Sequence, residues 1–287
     1  MSVAANSGRL TASSRGLLAA IRKALPRDEF YAGLYIVGCA NGLGSHIIRA
    51  VRLGDWTGGL ERISVIVLLA CAAGISLLLR DKDDEITSAD LAIGGIFLAA
   101  MAIPVSEANW VAVTGLSFYI LLYARNGSAR QRGAIILLAL TVPMLWSRLL
   151  FAFFAKFFLE IDASFVGLVL GTPRVGNVVD IADGSGQLVI LPACSSLANL
   201  SLAFLCWIAA TRWLDHRRSR EDILWCFLAC GSVVAMNVIR ISIMGLSHWH
   251  YLTFHYGWGA TLVHAVILVL TLGFTMVGVR RELFSRA

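Results

Sequence analysis

CSSLANLSLAFLCWIAATRW (residues 194–213), LDHRRSRED (214–222) and ILWCFLACGSVVAMNVIRISIMG (223–245) follow one another without a break. Two apolar runs of about 20 residues each match the thickness of a bilayer's hydrocarbon core at helical rise. The run between them is short, arginine-rich and unable to enter lipid. This stretch therefore predicts a pair of antiparallel transmembrane helices with a cytoplasmic turn, because basic residues stay on the inner side.

The same alternation extends over the chain. Only 15% of the 287 residues are charged, against 58% hydrophobic, and the mean hydropathy is +0.76. A soluble domain carries about 25% charged residues. Apolar runs near 30–50, 63–79, 89–105, 109–124, 133–154, 194–213, 223–245 and 259–279 predict an all-α polytopic membrane protein of about eight transmembrane helices. A β-barrel would show short alternating segments instead. No repeat and no low-complexity linker interrupts the chain, so one integral-membrane domain over 1–287 is expected, with 1–28 as a cytoplasmic tail.

Charge sets the expected orientation. The tail, the loops at 80–88, 125–132 and 212–222, and the C-terminal Arg280, Arg281 and Arg286 are basic or mixed, and eight spans place all five on one side. Both termini are then cytoplasmic, in the cytoplasmic (inner) membrane. The 51–62 loop, with Arg52 and Arg62 beside Asp55 and Glu61, goes against the pattern but does not outweigh the other five. The net charge of +6 is accounted for by these loops and not by a nucleic-acid surface.

Several local features carry structural expectations. Leu17–Ala24 reads as an amphipathic surface helix or as plain tail. Gly38 and Gly42 allow close helix contact, and His46 and Arg49 reach for the interface. Ser106-Glu107-Ala108 is too short for anything but a helical hairpin. Pro143 kinks the fifth span. Phe157–Leu170 is expected to lie along the interface. Val175–Ile181 and Gln187–Leu191, around Ala182-Asp183-Gly184-Ser185-Gly186, form a small extracytoplasmic β-hairpin before the sixth span.

Three residues then stand out on the outer face. Cys194 opens the sixth span, where the helix dipole and free N–H groups favour a thiolate, and those N–H groups, with Ser195 and Ser196, can face an oxyanion. Arg240 lies about 7–8 Å below the outer end of the seventh span. His255 follows in the next outer loop and can serve as general base and acid. Asn237, one turn before Arg240, is placed to orient it. Intramembrane Arg148 is a candidate for binding. Taken singly, a cysteine at a helix start is a structural residue, an arginine near a helix end snorkels, and His248, His250 and His264 compete with His255. Six cysteines show no zinc or disulfide spacing.

The order Cys194-Ser195-Ser196, Asn237-x-x-Arg240-Ile241, His255-x-Gly257-x-Gly259, over the last two hairpins of a polytopic chain, resembles the exosortase/archaeosortase family. The likeness covers roughly residues 135–275. It implies an extracytoplasmic cysteine protease/transpeptidase with Cys194, Arg240 and His255 as the catalytic residues. The implied partner is a membrane-anchored protein with a C-terminal sorting signal, released to water or to an amine, glycan or lipid acceptor. No cofactor and no metal is called for. Two positions depart from the usual pattern: Ser196 stands where the family's Cys-Ser-Gly motif has glycine, and Thr253 stands where many members place the histidine. A non-enzymatic component of exopolysaccharide or envelope assembly is the alternative. A channel or secondary transporter fits poorly, since there is no inverted repeat.

Overall fold

The computed structural model describes residues 26–52, 64–80, 85–103, 105–217 and 219–285, without the side chains at 46, 47, 49–51, 193 and 283–285. The expected Leu17–Ala24 surface helix, most of the 51–62 loop, Asp81–Asp84, Arg286 and the side chains of His46 and Arg49 lie outside the described residues. The described residues are helical with one small sheet. It divides into two compact units, Met1–Leu138 and Ala139–Ala287. No linker marks that boundary, which falls inside a helix.

The first unit holds α1 (Arg27–Arg52), α2 (Val65–Leu78), α3 (Ser88–Met101), α4 (Ser106–Tyr123) and most of α5 (Ala129–Thr141). Caps start the helices where expected. The Ser64 side chain accepts from Ile66 N–H, and Thr87 and Asp90 form a reciprocal capping box. Gly38 and Gly42 have a packing role. A Cβ at Gly38 would lie 2.8 Å from Met101 and Val113, and one at Gly42 2.7 Å from Trp110, so α1 receives side chains from α3 and α4 in these notches. Two buried ion pairs went unread in the sequence. Asp90 accepts from Arg27 (2.9 Å), Tyr31 (2.6 Å) and Tyr119 (2.8 Å), and Arg130 pairs with Asp28. Each buried carboxylate is repaid by several donors.

The second unit begins within α5. A π-helical turn, Val142–Trp146, joins α5 to α6 (Ser147–Leu170). Pro143 has no N–H to donate, and the widened turn closes with Ser147 N–H on the Val142 carbonyl. The helix bends again at Phe154 (φ −123°, ψ 24°) and ends at Gly171 in the left-handed region (φ 68°). Phe157–Leu170 is helical and follows the kink at Phe154 that sets it off from the first part of α6. The apolar face of the segment is shared between protein and surroundings: Ala163 and Val166 are buried while Leu168 is 80% exposed.

The sheet follows. β2 (Val178–Asp180) and β3 (Gln187–Val189) pair antiparallel, with Val179 opposite Leu188. This is the expected hairpin. A third strand, β1 (Arg174–Val175), precedes it because Gly176 (φ 60°) turns the chain sharply. The sheet is tied to the helices through Ala182 N–H on the Gly245 carbonyl at 2.9 Å. A 3₁₀ turn, Pro192–Cys194, leads into α7 (Ser196–Trp213), and then come α8 (Glu221–Met244), α9 (His248–His255), α10 (Trp258–Gly278) and α11 (Arg280–Ser285).

Among the described residues three helices are long and apolar enough to cross a bilayer: Ala129–Leu170, Glu221–Met244 and Trp258–Gly278. Val65–Leu78 and Ser88–Met101 are shorter apolar helices. Large side chains such as Phe153 (80% exposed), Ile223 (78%) and Phe227 (72%) face outward, as lipid-facing helices require.

Candidate functional site

Cys194 closes the 3₁₀ turn, with its N–H on the Leu191 carbonyl at 2.8 Å. Ser195 is the N-cap of α7, and its side chain accepts from Leu197 N–H. The thiol therefore sits one residue outside the N-cap and not on the first turn. Ser195 N–H bonds the Pro192 carbonyl, and Ser196 N–H bonds Asp162. The N–H groups of residues 194–197 are all engaged, so they are not the oxyanion donors anticipated from sequence. Cys194 is 5% exposed and belongs to an apolar cluster with Leu159, Val238, Ile241 and Met244, against which Tyr251 and Phe254 pack.

Ser196 is more than a small substitute for glycine. Its hydroxyl donates to Asp162 Oδ1 at 2.8 Å and accepts from Asn237 Nδ2 at 3.0 Å. Asn237, 1% exposed on α8, also donates to the Cys194 carbonyl at 2.7 Å. Asn237 thus braces the cysteine segment, which corrects the expectation that it orients Arg240. Arg240 is instead held by its Nε–H on the Phe254 carbonyl at 3.2 Å. That carbonyl belongs to the residue before His255.

α9 was read as loop, because SHWHYLTFH has no apolar period. Ser247 caps it, accepting from His250 N–H and bonding His250 Nδ1 at 2.7 Å. His250 is thereby committed to the cap. His255 ends the helix. Its ring stacks on Tyr251 at 5.0 Å and meets Tyr256 edge-on at 4.3 Å, and its buried Nδ1 has no hydrogen-bond partner among the described residues. Burial and then the Arg240 charge hold its pKa below the usual histidine value, so it is neutral, as a base must be, around neutral pH. Gly257 and Gly259 serve close approach and not a left-handed turn. Gly257 has φ −97°, but a Cβ there would lie 2.8 Å from the Thr253 carbonyl oxygen, and one at Gly259 2.8 Å from the Phe254 ring.

Cys194, Arg240 and His255 are thus linked through shared neighbours. Tyr251 packs against the cysteine's cluster and stacks on His255. Burial first, then Tyr256 and the Cys194 sulfur, raise the Tyr251 phenol's pKa. Arg240 touches the backbone next to His255.

Two openings adjoin this group. Exposed Arg148 lines a cavity of about 300 Å³ whose other walls include Pro192, Ser195 and Leu197, the residues around the cysteine. An apolar groove of about 1060 Å³ runs beside it between the π-turn, α6, α7 and α8, sharing Ser147 and Leu197 and reaching Val238. Val238 also packs in the Cys194 cluster. Asp162 was missed by sequence reading. Its one signal was a carboxylate inside FFLEIDASFVG, three residues from the cluster's Leu159. Among the described residues no group of His, Cys, Asp and Glu is arranged to hold a metal ion. Comparison of the chain with protein-family models, curated proteins and solved structures returned no match.

Proposed function

We propose that the chain is a membrane-embedded cysteine protease/transpeptidase of the exosortase type, acting on membrane-anchored proteins that carry a C-terminal sorting signal. The observation that supports this reading is the neighbourhood shared by Cys194, Arg240 and the His255 imidazole, whose Nδ1 has no hydrogen-bond partner among the described residues. The Cys194 sulfur attacks a backbone carbonyl while His255 takes its proton. Arg240, with Nε spent on Phe254, offers its η-nitrogens to the tetrahedral oxyanion. Collapse breaks the C–N bond, His255 returns the proton to the leaving amine, and a thioester remains. Water or an amine then attacks the thioester, giving its proton to His255 as the thiol is restored. The apolar groove beside Leu197 and Val238 suits an apolar helix of the substrate, and Arg148 suits an anionic group next to it. The charge pattern of the loops favours an extracytoplasmic site in an eight-span arrangement, with both termini cytoplasmic.

The test is co-expression with a tagged substrate ending in a sorting signal. Cys194→Ala, Arg240→Ala and His255→Ala should each abolish processing while the protein accumulates normally. Processing by Cys194→Ala at the wild-type rate would sink the mechanism.

A second reading draws on the burial of Cys194 in an apolar cluster, which also suits a structural cysteine. The chain would then be a non-enzymatic component of exopolysaccharide or envelope assembly. Loss of polymer on deletion, restored by all three alanine variants, is the result that would select it.

A further inference from the structure

We infer that Asp162 is a positioning residue for Cys194, acting through a directed relay that joins α6, α7 and α8. This rests on the thiol-enzyme reading and deepens it. A carboxylate only accepts, so the Ser196 hydroxyl must donate to Asp162 Oδ1 (2.8 Å) while Ser196 N–H donates to Oδ2 (3.1 Å). With its hydrogen committed, Ser196 Oγ can only accept from the Asn237 amide (3.0 Å), which fixes Nδ2 and not Oδ1 on that side. The same Nδ2 donates to the Cys194 carbonyl at 2.7 Å. Every hydrogen along Asp162, Ser196, Asn237 and Cys194 has one assignment, and the single charge at the start sets them all.

All three relay side chains are buried: Asp162 is 4% exposed, Ser196 6% and Asn237 1%. A buried carboxylate is costly unless its acceptors are filled, and here it also faces the positive end of α7. Asn237 is what holds the Cys194 carbonyl to α8. The brace therefore sets where the peptide carrying the thiol stands relative to α8, and so relative to Arg240 on the same helix. The relay does not touch the groove or Arg148. Breaking it should damage the chemical step and spare substrate binding.

The experiment uses the full chain purified in detergent, as wild type, Asp162→Asn, Asp162→Ala, Asn237→Ala and the Asp162→Ala/Asn237→Ala double variant. Two readouts are taken: kcat and KM on a membrane-anchored sorting-signal substrate, and the rate at which a small maleimide alkylates Cys194 with the other five cysteines replaced. Expected are a kcat loss of about 10²-fold in Asp162→Ala, as for an ångström-scale misplacement, with KM unchanged. Asp162→Asn, which keeps one acceptor for the Ser196 hydroxyl, should fall between. The double variant should be no worse than its worse parent, because both break one brace, and alkylation should quicken several-fold in the same order as the thiol segment loosens.

Wild-type kcat and alkylation in Asp162→Ala would overturn the proposal, as would multiplying losses in the double variant or a rise in KM with kcat intact. If Asp162→Ala does not accumulate, Asp162→Asn and Asn237→Ala decide in its place, and wild-type values in both overturn it. If the wild type itself leaves the substrate uncut, the protease reading falls, and the alkylation series still decides whether the relay holds the thiol.

Discussion

Replacing Asn237 tests the geometry around the cysteine without any assumption about a substrate. Asn237→Ala withdraws one amide nitrogen from two buried acceptors, the Cys194 carbonyl at 2.7 Å and Ser196 Oγ at 3.0 Å. A buried acceptor left unpaired costs about 1–3 kcal/mol. The Cys194 carbonyl bears that cost in full, whereas Ser196 keeps its bond to Asp162 and loses closer to 1 kcal/mol, so the variant should lose roughly 2–4 kcal/mol. Asn237→Asp should cost more. It presents a second carboxylate to two oxygens, one of them already bonded to Asp162, and like charges joined through one hydroxyl repel. The introduced carboxyl carries that repulsion only while it is ionised. Its ionised form penalises the fold at neutral pH, and protonation relieves the penalty as pH falls. The assay is equilibrium unfolding by SDS titration in mixed micelles at neutral pH and near pH 5. A loss below about 0.5 kcal/mol for Asn237→Ala, within the range of an ordinary surface change, would refute the brace. So would equal, pH-independent losses for the two variants.

Other consequences can be checked with the same protein. Gly231 lines the apolar groove on α8, and a Cβ there meets nothing within 4 Å; Gly231→Leu should leave stability equal or higher by up to about 1 kcal/mol while raising KM for a helical substrate. Gly257→Ala drives a methyl onto the Thr253 carbonyl oxygen at 2.8 Å, so it should cost about 1–3 kcal/mol and lower processing through displaced His255. The His216 ring lies 2.8 Å from both Asp222 and Glu282. Burial opposes its charge, but the two carboxylates outweigh burial and raise its pKa. Its contribution to stability is therefore complete below the unfolded value of about 6.5 and fades as pH rises through the raised folded value. SDS titrations from pH 6 to 9 should show that decline in wild type and a flatter profile in His216→Gln.

The helices were legible because lipid leaves the backbone one economical choice: an apolar run must bond to itself, and basic loops must stay out. The runs read at 63–79, 89–105, 109–124, 194–213, 223–245 and 259–279 each coincide with an observed helix to within a few residues. Where the period gave no guide, reading failed. SHWHYLTFH hid α9, since its helix is set by the Ser247 cap. Phe157–Leu170 was set apart for its aromatic, amphipathic character, and the kink at Phe154 does divide it from the first part of α6, while a π-turn absorbs Pro143 further back.

For the site, Cys194, Arg240 and His255 were singled out by residue type, expected membrane side and likeness to a family, none of which depends on packing. Their supports could not. Asp162 lies 34 residues before Ser196, and Asn237 lies 43 after Cys194, and nothing in spacing says that an aspartate in one span caps the helix of another. By itself the sequence determined which long apolar segments are helices and which residue types stand at their ends, because those follow from solvent and period. Only the tertiary structure decided who satisfies whom: that Asn237 serves the cysteine segment, that His250 Nδ1 bonds the Ser247 cap while His255 Nδ1 has no hydrogen-bond partner among the described residues, and that the N–H groups of residues 194–197 are already taken. Hydrogen-bond capacity is a pairwise quantity, filled only when distant elements pack, and so it cannot be assigned one segment at a time.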